Sequence, residues 1–277
     1  HVINQAAGTI NSANGPIAFT AEAAAGGGIT QQGGAIITAG TGAITIDSND
    51  AAISLSGAIT STNTGTALTI QDATTVAFAG TITISHAAGD MKLGDAVAGV
   101  ISGAISQTAG TITVVDSLTI VANSTVSLSQ SGNDFGSVTA SGPTLGDLDL
   151  RDTNALTLTS IVTTNGSVTV ISGGTLTVTA VTAVGAGEDV ALTANGGTSD
   201  IVVDAVTAPD TVTLTAGDEV KEAADNDAAV DVTGATLDLN AAGGIGTASV
   251  QMEISATTLT ADTTTGAVNL KNIRSAN

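Results

Sequence analysis

Residues 156–178 read LTLTSIVTTNGSVTVISGGTLTV, and this stretch decides the fold. Three beats, Leu156-Thr157-Leu158, Val168-Thr169-Val170 and Leu176-Thr177-Val178, place a polar residue between two apolar ones. Alternation with a period of two marks a strand that turns one face to a core and the other to water. Between the beats stand Asn165-Gly166 and Gly173-Gly174, residue types suited to tight corners. Leu156 and Leu176 open matching beats, so the pattern returns after one intervening strand.

The same beat runs along the rest of the chain. Ile44-Thr45-Ile46, Ile53-Ser54-Leu55, Leu68-Thr69-Ile70 and Ile82-Thr83-Ile84 precede it, followed by Ile112-Thr113-Val114, Leu118-Thr119-Ile120, Val126-Ser127-Leu128 and Leu148-Asp149-Leu150. Val190-Ala191-Leu192, Val212-Thr213-Leu214, Val230-Asp231-Val232, Leu237-Asp238-Leu239 and Val268-Asn269-Leu270 come after. In each, the central Thr, Ser, Ala, Asp or Asn is expected to face outward. Sandwich strands differ in character between edge and centre, whereas here one small unit repeats with every second beat returning at roughly 20–25 residues. The expectation is an all-β fold, a right-handed parallel β-helix (β-solenoid) of about a dozen coils. It is expected to run as one continuous solenoid over residues 1–277, a rod on the order of 60 Å at ~4.8 Å per stacked strand.

Composition agrees. Hydrophobic residues make up 42% of the 277 residues but aromatics only 1%, namely Phe19, Phe78 and Phe135. A core without aromatic bulk has to be narrow, filled by Val, Ile, Leu and Ala. Gly26-Gly27-Gly28, Gly33-Gly34, Gly173-Gly174, Gly196-Gly197 and Gly243-Gly244, with Asn133-Asp134, Asn165-Gly166 and Asn195-Gly196, are expected to supply positive φ at corners. Pro16, Pro143 and Pro209 each fall in a corner, where they spare the ladder hydrogen bonds. Residues 219–229 lack an apolar stripe and read as an acidic excursion from one coil.

Charge narrows the function. The formal net charge is −20, and the five basic residues Lys92, Arg151, Lys221, Lys271 and Arg274 are scattered, so nucleic acid and anionic membranes are disfavoured as partners. No apolar run has transmembrane length, and membrane insertion is not expected. Cysteine is absent, which excludes a disulfide framework and thiolate metal sites.

From about Asn133 onward the chain resembles the repeat region of filamentous-haemagglutinin-type bacterial exoproteins and related giant adhesins. The resemblance is carried by Asn133-Asp134-Phe135-Gly136, residues 148–152, Ala155-Leu156-Thr157-Leu158 and Gly166-Ser167-Val168-Thr169-Val170. Ala242-Gly243-Gly244-Ile245-Gly246-Thr247, Glu253-Ile254 and Leu259-Thr260-Ala261 extend it. The resemblance implies a right-handed parallel β-helix, export across the outer membrane, and a role in adhesion or extracellular matrix. The secretion module that opens such exoproteins is not recognisable, so the chain reads as an interior or processed part of a longer one.

Side-chain chemistry offers little for catalysis, and no enzyme is expected. His1 is terminal, and His86 reads as a solvated corner residue. The alternative function is polysaccharide cleavage by a β-helix lyase or hydrolase, which needs paired carboxylates beside a cation. Asp147, Asp149, Arg151 and Asp152 form such a group, although an ordinary surface ion pair is the better account of them. Calcium is the better chemical candidate, because hard cations seek several oxygens at turns. Asp47 and Asp50, Asp134 beside Asn133, Glu188-Asp189, and Asp218, Glu219, Glu222, Asp225 and Asp227 are the candidate ligands, with Ca2+ as the only cofactor envisaged. Strand-like sequence starts at Val2 and reaches Leu270. The expected partners are therefore further coils of the same chain or other copies stacked end to end, with cell-surface glycans along the sides. The resulting reading is a structural or adhesive rod, secreted or displayed on a bacterial surface.

Overall fold

The computed structural model describes residues 2–21, 27–223, 229–247 and 250–274. The described residues form 25 strands and no helix, and every strand pairing among them is parallel. This is a β-solenoid of about 12 turns, as the repeating beat predicts. The chain divides into two compact units, His1–Leu145 and Gly146–Asn277.

The first unit stacks its turns in three ladders. One joins Val2–Gln5 and Gly28–Gln31 to the later parts of Ile44–Leu55 and Thr66–Phe78, then Ile105–Gln107 and Val126–Leu128. The next runs from Thr9–Ser12 through Ile36–Ala39, Ala58–Ser61 and Ile82–Ile84 to the starts of Ile112–Val121 and Asp134–Ser141. The third begins at Ile17–Thr20 and passes through Asp90–Leu93 to the ends of those last two strands. Equivalent residues sit in register, so Ile44, Leu68, Met91, Leu118 and Val138 form one buried column and Ile46, Ile70, Leu93, Ile120 and Ala140 another. Burying each large aliphatic contributes about 1.5–3 kcal/mol, and the columns repeat that gain at every turn.

The second unit follows the same plan. Leu148, Val168, Val190, Val212 and Leu237 stack in one ladder. Leu156, Leu176, Ile201 and Val220 stack in another, and Ile161, Val181, Val206, Val232 and Ile254 in a third. The pairs Leu156–Leu176, Val168–Val190 and Val190–Val212, which set the repeat length in the sequence, are direct register partners. Phe78 and Phe135 are fully buried, so the few aromatics do serve the narrow core.

Three expectations need correction. Among the described residues nine glycines have positive φ, but of the glycines predicted to need it only Gly34, at 84°, lies well inside the left-handed region, with Gly28 at 159° close to extended backbone. Most are required because successive coils approach too closely for a Cβ: one built at Gly173 would strike the Thr153 carbonyl, and one at Gly166 the Gly146 backbone. The non-glycine residues with positive φ are Asn49, Asp50 and Asp72 rather than Asn133, Asn165 or Asn195. Second, Asp231 does not face outward between two valines but is buried. Third, the stretch from residue 219 opens as a strand, Val220–Glu222, that pairs with Ile201–Thr207.

Candidate functional site

The acidic corners fall into two kinds. Asp147, Asp189 and Asp200 accept hydrogen bonds from the backbone N–H groups of Ser167, Thr211 and Glu219, each one coil further on. Ser167 also donates to Glu188 at 2.9 Å. These carboxylates therefore clasp one turn to the next. Asp152 does similar work within its own corner, accepting from Asn154 N–H at 2.8 Å.

The corner at residues 47–50 is different. Asp47 accepts from Asn49 N–H at 3.1 Å and from the Gln71 amide at 3.0 Å. Asp50 stands in left-handed backbone, and Asp72, in the next coil, joins them. Burial, then the charges of Asp50 and Asp47, push the Asp72 carboxyl above its ordinary value. The sequence identifies two members of this carboxylate group and misses the third.

The remaining predicted ligands, Glu222 apart, are dispersed. Asp134 lies level with Thr113 on an outward row, while its neighbour Asn133 is fully buried and spends its amide on Gln107 and the Leu128 carbonyl. Asp218 lines an open recess of about 700 Å³ with Glu219, Gly243, Thr247, Thr265 and Asn269. Asp225 and Asp227 lie outside the described residues.

A cluster of which the sequence singles out one member, Glu222, sits inside the second unit. The register Val203–Glu222 puts Glu222 in an inward position that Val178 and Val203 occupy in the two preceding coils. Asp231 ends the corner before Val232–Ala241, and Glu253 follows Met252 at the start of its strand. Glu222, Asp231 and Glu253 are 6%, 3% and 5% exposed, and they bring carboxylate oxygens within 4.8 Å of one another. Glu253 N–H donates to Asp231 Oδ2 at 2.8 Å, Asp231 N–H donates to the Glu253 carbonyl, and Lys271 Nζ reaches Glu253 Oε1 at 3.2 Å. Three carboxylate oxygens converging in a buried setting make a donor set of the kind a hard cation takes, with the Lys271 ammonium supplying one positive charge beside Glu253. Alignment of Val220-Lys221-Glu222 under Ile201-Val202-Val203 was the available signal, because it leaves a glutamate in an apolar slot.

The residues weighed for catalysis are placed as follows. Asp149 and Arg151 face away from the core, flanking the buried Leu150, with Leu148 also buried. His86 accepts the Ala88 N–H on Nδ1 at 3.1 Å within its corner. Lys221, whose ammonium is held above its ordinary value chiefly by its hydrogen bond to Asp200, bridges Asp200 and Glu219.

A family model described as repeats of unknown function (DUF5649) matches residues 79–141, inside the first unit. That segment contains strands of all three ladders. No curated protein and no solved structure matches the chain.

Proposed function

We propose that this chain is a stretch of an extracellular structural or adhesive rod, part of a fibre, sheath or matrix on a bacterial surface. The observation that carries the reading is the unbroken stacking of aliphatic columns beneath outward rows of Thr, Ser and Asp in both units. Such stacking gives stiffness and resistance to proteolysis without needing a deep cleft. The resemblance to filamentous-haemagglutinin-type exoproteins supports the location outside the cell. Val2, Leu259, Val268 and Ile273 are exposed apolar residues in the first and last strands or beside them, and they suit pairing with further coils, whether from the same longer chain or from another copy.

Electron microscopy of the purified chain tests the reading. Elongated particles or end-to-end filaments are expected; compact particles with no long axis would overturn it. Incubation with a panel of polysaccharides serves as the second arm. The chain is expected to leave them intact, and cleavage that disappears in Asp149→Asn would make it an enzyme instead.

A further inference from the structure

The interior of the first unit contains a polar column. Gln5, Gln31, Leu55, Phe78 and Gln107 succeed one another in register on the inward side of one ladder. Each glutamine uses its Nε2 in the same way, donating once to its own corner and once to the next coil. Gln5 donates to the Gly8 and Ile36 carbonyls, and Gln31 to the Ala35 and Ala58 carbonyls. Ile36 and Ala58 are themselves register partners, so the two glutamines are equivalent parts of consecutive coils. Gln107 donates to the Gly110 carbonyl and to Asn133 Oδ1. Since every Nε2 faces oxygen, none of the amides can be turned over without setting oxygen against oxygen.

The acceptor ends differ. Gln107 Oε1 receives the Asn133 amide at 2.8 Å. Gln5 Oε1 and Gln31 Oε1 are both buried and meet no donor, although Gln31 is only 1% exposed. Both amides border a small cavity whose apolar walls include Ile3, Phe19, Ile29, Ile46 and Leu55. It offers water centres about 10 Å³, the room a single water molecule needs.

We infer that one buried water is a fixed part of this coil pair, donating one hydrogen to Gln5 Oε1 and the other to Gln31 Oε1. The two oxygens belong to register neighbours, so a single molecule spans them. A donor is what both sites lack, and a cavity of this size takes nothing larger. The water thus does in the first two coils what the Asn133 amide does at Gln107: it completes a clasp that pins one turn to the next. Where the column turns apolar, at Leu55 and Phe78, side-chain bulk fills the space and no such clasp is needed.

A crystal structure of the chain, refined to the point where ordered waters are placed, tests this. Density for one water within hydrogen-bond distance of both Oε1 atoms is expected. An empty cavity, or a side chain occupying it, would overturn the inference. Asn133→Ala supplies an independent positive arm, because it removes the donor from Gln107 and opens equivalent space. This variant should gain a water on Gln107 Oε1; a dry Gln107 amide there would count against the water-for-amide equivalence. Gln31→Leu, which installs the residue type already present at position 55, should lose the wild-type water. Retention of that water without the Gln31 oxygen would also overturn the assignment.

Discussion

Asp72 stands in left-handed backbone at φ 50° with two carboxylates beside it, and its own carboxyl is raised from the ordinary 3.8 by burial and by those charges. The consequence for stability has a definite sign. Because the folded chain holds the proton more tightly than the unfolded one, the folded state is favoured below 3.8 and loses that advantage as pH rises through the elevated value. Asp72→Asn removes the repulsion, and asparagine tolerates left-handed backbone. Its melting temperature is therefore expected to match the wild type in acid and to exceed it at neutral pH, by about 1–2 °C since the corner is well solvated. Thermal melts across the acid range check this; an equal gain at every pH would mean that charge is not the cause. The residue also marks a limit of sequence reading. Asp47 and Asp50 stand out because they share a short acidic run, whereas Asp72 joins them only through the stacking of one coil on the next.

Corners set the spacing of the elements, and many of their glycines are fixed by a neighbour as well as, or instead of, their own conformation. Gly57, Gly80 and Gly110 stack in three successive coils, and a Cβ on Gly80 would fall on the Gly57 carbonyl oxygen. Backbone cannot yield as a side-chain tip can. Gly80→Ala is thus expected to cost about 3 kcal/mol, a loss of roughly 5–10 °C in melting temperature. Gly197 has open space around it and no positive φ, so Gly197→Ala should melt within about a degree of wild type or slightly above it. Equal losses in the two variants would trace the effect to the general difference in backbone freedom between glycine and alanine and not to coil contact. The strands themselves were legible in the sequence because a two-residue period leaves little choice of face, and Ile44, Leu68 or Val190 could only point inward. What defeats such reading is a strand whose inward slot holds the wrong residue type. Glu222 occupies a valine's place within an acidic run, and Asp231 sits between two valines yet turns inward, so the buried carboxylate cluster emerges only from the register.

Over the whole molecule the governing quantity is charge. With 25 acidic residues against 5 basic ones the chain repels itself, and among the described residues ion pairs are made by Lys92, Lys221 and Lys271. Parallel stacking sharpens the problem, because equivalent positions in successive coils lie only ~4.8 Å apart. Sodium chloride should raise the melting temperature by screening. Calcium at matched ionic strength should raise it further, because a divalent ion can bridge carboxylates that lie near one another, as at Asp47, Asp50 and Asp72 and in the cluster of Glu222, Asp231 and Glu253. The expected binding is distributed: a chelator reverses the calcium increment, while Asp50→Asn and Glu253→Gln each remove only part of it. Complete loss in one variant would replace the distributed picture with a single site at that position. Identical curves for sodium and calcium would reduce the effect to screening, leaving the acidic rows to act as a diffuse field that keeps the stacked sheets soluble.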